Sequence, residues 1–374
     1  MCSLSCIRGS RYGPKMARVW TVAFMIALLV HSAQSQRTSA PANFILGDSL
    51  VDPGNNNYIG TLAKSNFPPN GIDFQQGATG RFCNGRTVAD VIVQLANQPF
   101  VPAYLDPKSR GTAILGGLNY ASAAGGILDS TGANYIGRIS LNQQLQYFQK
   151  TQQEFAQLLG PVGAQQALSK ALYFFVIGSN DYINNYLLAG SQTARQYTPK
   201  QYEALLVNEF ARQITALYNF GARKIAVFNV GPLGCIPSQL ANQRSVDGSC
   251  IQFINDYVQG FNRALGLKLN DLATTLTGST LVYGNSYDLV FDKVVNPQRY
   301  GLTVVNQGCC GFGRFNGQIP CITGLRPCPN RAQYLFWDPF HPTDAVNVQL
   351  GREFFSGGLS SISPVNIQQL GSLP

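Results

Sequence analysis

Phe44-Ile45-Leu46-Gly47-Asp48-Ser49-Leu50-Val51-Asp52-Pro53-Gly54-Asn55-Asn56-Asn57 begins as an apolar run and stops abruptly at small and polar residues. Such a run reads as a buried strand followed by its turn. Four further runs, at 118–121, 172–177, 224–228 and 280–283, have the same character. Helical patterns lie between them. The clearest covers about residues 198–219: Thr198 is placed to cap it, Pro199 takes the first helical position and Gly221 lies past the end. Tyr202, Leu205, Leu206, Phe210, Ile214 and Leu217 recur there at helical spacing. Another pattern runs over about 249–276, with Ile254, Tyr257, Val258, Phe261 and Leu265 facing inward. Strands alternating with helices predict an α/β fold: a mostly parallel sheet covered on both faces, in one three-layer α/β/α domain. Ligands bind such sheets beyond the carboxyl ends of the strands. Residues just after the strands therefore carry the function.

Composition sets the outer limits. The chain has 374 residues, 45% hydrophobic and 12% charged, where a charged share of about 25% is usual. That describes a globular protein, not a disordered tail, a coiled coil or a collagen-like rod. The one apolar run long enough to consider as a membrane segment, residues 19–30, falls short of the ~20 residues a spanning helix needs. It follows Arg8, Arg11, Lys15 and Arg18 and precedes Ser32-Ala33-Gln34-Ser35, the order of a secretory leader. Residues 1–35 are accordingly read as leader, with Met16 an alternative start, and 36–374 as the mature domain. No stable membrane insertion is expected. Removing the leader lowers the formal charge from +9 to +5. The remaining charges are scattered, with no basic run suited to nucleic acid.

Cys2 and Cys6 belong to the leader, which leaves seven cysteines. In an exported chain the default is disulfides. Cys235 and Cys250 flank one short loop and are expected to be bridged. Cys309, Cys310, Cys321 and Cys328 should hold two more bridges, with the pairing open. Cys83 is then a free thiol that acts as a small buried hydrophobe. The crowded four have neither paired C-x₂-C spacing nor nearby histidines, so no metal is expected.

Four segments occupy the positions that matter. They are Gly47-Asp48-Ser49, Ser122-Ala123-Ala124-Gly125-Gly126, Gly178-Ser179-Asn180-Asp181, and Trp337-Asp338-Pro339-Phe340-His341-Pro342-Thr343 ahead of a C-terminal helix. Each alone reads as turn chemistry or a helix cap. The histidine count sharpens the choice. There are two, and His31 leaves with the leader, so a histidine base in the mature chain must be His341. Asp338, three residues upstream, can accept from its Nδ1–H and leave Nε2 to take a proton from a hydroxyl. A free serine needs that help to act as a nucleophile. Asp48 and Asp181 are read as scaffolding, and Arg81, Asn84 and Arg86 as a turn before a helix. No stretch spells G-x-G-x-x-G, so no dinucleotide cofactor is expected.

In this order the four blocks resemble the plant secreted branch of the GDSL esterase/lipase family, within the SGNH hydrolases. The resemblance covers about residues 43–355, and departs in the first block mainly at Leu46, where the branch often has phenylalanine. It implies the flavodoxin-like SGNH hydrolase fold and a cofactor-free serine esterase or lipase that cleaves carboxylic esters through an acyl-enzyme. Ser49 would be the nucleophile, His341 the base and then acid, and Asp338 its orienting partner. The implied oxyanion donors are the Ser49 backbone N–H, the Asn180 side chain and one backbone N–H of the second block. The family's glycine there registers with Ala124, and Gly125 is adjacent. Implied substrates are lipid acyl esters, short-chain esters or acetylated wall polysaccharides, met in the cell wall or apoplast. Two rivals remain: an acyltransferase that builds an extracellular polyester, and an inactive binding or structural protein on the same fold.

Overall fold

The computed structural model describes residues 41–374, and the expected leader lies outside the described residues. Four parallel strands form the sheet: β1 (Asn43–Gly47), β2 (Leu172–Val176), β3 (Lys224–Phe228) and β4 (Thr280–Gly284), paired in that order. Every residue of β1, β2 and β3 is buried, as a sheet covered on both faces requires. β5 (Val304–Gly308) and β6 (Tyr334–Phe336) form a separate parallel pair, and the short β7 (Ile362–Ser363) runs antiparallel to β4 at the edge.

The expected strand at 118–121 is a correction. It lies parallel to the outer side of β1, with Ile45 N–H donating to the Leu118 carbonyl and Tyr120 N–H to that of Ile45. Only isolated bridges form there, at Asn119. On its far side the Asn119 N–H donates to the Pro102 carbonyl and its carbonyl accepts from Tyr104 N–H, and Asn55 Nδ2 also donates to the Asn119 and Ala121 carbonyls, each at 2.8 Å. Asn119 itself bonds the Val51 carbonyl and the Ala121 N–H. With this segment counted, the order is the 2-1-3-4-5 of flavodoxin-like sheets.

The principal helices are α1 (Val88–Leu95), α2 (Leu141–Lys170), α3 (Pro199–Asn219), α4 (Gln252–Thr275), α5 (Ser286–Val295), α6 (Asp344–Ser356) and α7 (Ile367–Ser372). α3 packs against α2 and α4, while α6 packs against α1 and α7, giving the two outer layers. Thr198 caps α3 as expected and forms a capping box with Gln201. α2 is broken at Gly160-Pro161, where Gly160 adopts a φ of 72°. α4 begins at Gln252 rather than 249, because Ile251 N–H is held by the Gly234 carbonyl. Residues 41–374 make one compact unit. Among them no helix is long and apolar enough to cross a membrane.

Three disulfides are present: Cys235–Cys250, Cys309–Cys328 and Cys310–Cys321. Cys83 is free and buried, and burial pushes its thiol well above its ordinary range.

Candidate active site

β1 delivers Ser49 to the carboxyl edge of the sheet. Asp48 N–H still bonds the Val176 carbonyl of β2, and the chain then turns, with Val51 N–H on the Asp48 carbonyl. Gly47 admits no side chain: a Cβ would lie 2.6 Å from both Val176 O and Val51 Cγ2. Gln144 of α2 clamps it further, accepting from its N–H and donating to its carbonyl, both at 2.8 Å.

His341 comes from the loop between β6 and α6. Asp338 shapes that loop by accepting the backbone N–H groups of Phe340 and His341, each at 2.8 Å. The same carboxylate faces His341 Nδ1 at 2.8 and 2.9 Å. His341 Nε2 then lies 2.7 Å from Ser49 Oγ. With Nδ1–H donated to the carboxylate, Nε2 is free to accept the serine proton. Asp338 and His341 are buried, so the chain of bonds is shielded from water everywhere but at the serine.

Asn180 and Ala124 line the same cavity as the serine. Asn180 is buried at the start of the helical turn after β2. Its Oδ1 accepts from Asn184 Nδ2 at 2.6 Å, and its Nδ2 donates to the Gly125 carbonyl at 2.9 Å. Those two bonds fix the amide with its second N–H uncommitted. The loop 122–126 is tied to the first block: Asp52, which accepts from Gly54 and Asn55 N–H, also accepts from Ala123 N–H at 3.1 Å. Asn56 receives the Ser122 hydroxyl and donates to the Ala123 carbonyl. Gly125 N–H is committed to the Ser122 carbonyl at 3.0 Å. The N–H groups of Ala124 and Ser49 have no partner among the described residues.

The other carboxylates differ from one another. Asp181 accepts from Ile127 N–H, Leu128 N–H and the Thr131 hydroxyl, and so anchors the turn behind Asn180. Asp48 is wholly buried with Oδ1 bonded only to Leu50 N–H and Oδ2 without a partner among the described residues. Burial pushes its carboxyl up to about 7. Arg81 forms a buried two-pronged pair with Asp90 of α1, and Arg86 pairs with Asp344 of α6. These join the loop after β1 to the helical layer and do not reach the serine. Among the described residues, no group of three or more His, Cys, Asp and Glu is placed to hold a metal.

A serine hydroxyl bonded to an imidazole that is bonded to a buried carboxylate, at the carboxyl edge of a parallel sheet, is the equipment of a serine hydrolase. The chain belongs to the GDSL-like lipase/acylhydrolase family, whose sequence model matches residues 44–354. One Arabidopsis thaliana GDSL esterase/lipase is 45% identical over 331 residues, covering 88% of each chain. GDSL esterase/lipase 7 of the same plant is 47% identical over 340 residues, which cover 89% of this chain and 93% of its own.

Proposed function

We propose that residues 36–374 form a single secreted serine esterase domain that hydrolyses carboxylic esters through an acyl-enzyme on Ser49. The observation that carries this is the 2.7 Å contact between Ser49 Oγ and the only imidazole in the domain, itself held by Asp338. His341 Nε2 takes the proton as Ser49 Oγ attacks the ester carbonyl carbon. The oxyanion receives the N–H groups of Ser49 and Ala124 and the free N–H of Asn180. Collapse expels the alcohol, which leaves with the proton held on Nε2. Water then attacks the acyl-serine, His341 takes its proton, and the acid departs as Ser49 regains a proton. Asp338 holds the imidazole through Nδ1–H and steadies the imidazolium. Secretion to the extracellular space is supported by the leader pattern and by three disulfides.

Ser49→Ala and His341→Ala should each lower kcat by about 10⁴–10⁶, with circular dichroism unchanged. A fluorophosphonate probe should label Ser49 in the wild type and nothing in Ser49→Ala. A Ser49→Ala protein that keeps most of its turnover overturns the assignment.

A further inference from the structure

A second cleft, of about 630 Å³, lies between α4 and the β4 edge of the sheet. Gln259, Arg263, Gly266 and Asn270 line it along α4, and Tyr283 of β4 and Asp288 of α5 complete its walls. The four α4 residues recur at helical spacing, so they form one stripe of that helix. Among the described residues, Asn229 alone lines both this cleft and the cavity at Ser49. Its Nδ2 donates to the Tyr283 hydroxyl at 2.9 Å and to Asn285 Oδ1 at 3.1 Å, and its Oδ1 accepts from Tyr287 N–H. Those bonds hold it as a partition, so a ligand in the cleft does not occupy the catalytic cavity.

Gly266 is the informative residue. Glycine inside a helix is destabilising relative to alanine, and Gly266 has no positive φ to justify it. The other glycine of α4 is explained by packing: a Cβ at Gly260 would lie 2.6 Å from Glu203 Oε2. At Gly266 a Cβ would make only ordinary contact, 3.9 Å from Tyr283 Cζ and 4.0 Å from Cε2. What the missing side chain does is leave the Tyr283 ring uncovered. That ring is fixed in place, because its hydroxyl accepts from Asn229 and donates to the Asn262 carbonyl at 3.1 Å. Around it stand polar groups with capacity to spare. Arg263 and Asn270 are exposed donors whose side chains have no partner among the described residues. Gln259 Nε2 donates to the Tyr287 hydroxyl, which leaves Oε1 to accept, and Asp288 Oδ2 accepts from Asn285, which leaves Oδ1.

We propose that this cleft is a saccharide-binding site, separate from the reactive one, in which a neutral pyranose ring stacks on Tyr283. The proposal does not draw on the ester-hydrolase reading and goes beyond it. A pyranose offers a C–H face to an aromatic ring and a rim of hydroxyls, each both donor and acceptor. The cleft offers the matching set: Arg263 and Asn270 to donate, Gln259 and Asp288 to accept. A hydrocarbon would strip water from these groups and give nothing back. An anion would want donors alone and would meet the Asp288 carboxylate.

The test is isothermal titration of the mature protein with cellohexaose, xylohexaose and mannohexaose, and with oligogalacturonate as the charged comparison. At least one neutral hexaose should bind. Gly266→Leu, which directs a side chain at the Tyr283 ring, should weaken that binding about tenfold or more. Its melting temperature should hold or rise, because leucine favours a helix where glycine does not. Arg263→Ala should weaken binding about tenfold through the lost hydrogen bonds. It lies on the surface and serves as the second variant if the first does not fold. No binding of any neutral hexaose overturns the proposal, as does binding that neither folded variant weakens, which would seat the sugar elsewhere. Binding of oligogalacturonate alone overturns the neutral ring. None of these outcomes bears on the chemistry at Ser49.

Discussion

Ala124 stands where the resemblance implies a glycine. It holds a φ of 64°, where an L side chain costs about 1–2 kcal/mol. The loop tolerates this because the methyl packs with Ala63 and Ala123, and because Gly132 leaves room against the Ala124 carbonyl. Ala124→Gly relieves that strain but loosens the unfolded chain by a comparable amount, so stability should stay within about 1 kcal/mol. The N–H stays in place, so kcat should change less than about threefold. Asn180→Ala, by contrast, should lower kcat about 10²–10³ with little change in KM. Steady-state kinetics and thermal melts of the two variants check both statements. Ser49, Asp338 and His341 were legible because each lies in a short motif and only one histidine follows the leader. Which N–H of the second block is left without a partner was not. It depends on which N–H the loop uses internally, and residue types do not reveal that Gly125 bonds Ser122. Gln144 left no signal at all, since it acts on Gly47, a residue that only the fold brings near.

At the scale of elements, four of the five expected strands form where the apolar runs place them. The run at 118–121 does pair with β1 through backbone bonds, but side-chain amides of Asn55 and Asn119 serve Ala121, so only isolated bridges form, which hydrophobic periodicity does not reveal. The Cys235–Cys250 bridge was legible from its spacing. The pairing of the other four was not, because it depends on the path of the intervening chain. Phe312 and Ile319 bridge in antiparallel fashion and return Cys321 to Cys310, while Cys328 N–H bonds the Cys309 carbonyl. The first bridge joins the helical turn at Leu233–Cys235 to the start of α4. Replacing both cysteines by serine opens a loop of 15 residues and should cost ~3 kcal/mol. The urea midpoint should fall accordingly, and dithiothreitol should have less effect on the variant than on the parent.

For the whole molecule, the buried carboxyls set the response to pH. Burial raises Asp48 to about 7, and Asp52 and Asp181 to about 6, from an ordinary 3.8. Between about pH 4 and 7 the folded chain therefore keeps protons that the unfolded chain releases. Their contribution to stability is complete below about 4 and declines as pH rises to 7. Asp73, Asp90 and Glu209 are held below their usual range, the first and last mainly by arginine hydrogen bonds and Asp90 by Arg81 against its own burial. These stabilise above the unfolded carboxylate range and weaken only in stronger acid. The protein should melt higher at pH 5 than at pH 7.5. Asp48→Asn should flatten that slope, because the group that changes its ionisation is gone. Melting curves across this range decide it, and a parent that is most stable at pH 7.5 contradicts the assignment.

The loop that carries His341 also gives the molecule its own optical label. Residues 41–374 contain one tryptophan, Trp337, and one histidine, His341. Trp337 is fully buried, donates through Nε1 to Asn70 on the cavity wall and through its backbone N–H to the His341 carbonyl. Red-edge excitation thus lights a single indole fastened to the imidazole loop. Its emission should follow the filling of the cavity in real time, with no dye attached, and one imidazole resonance should follow the proton beside it.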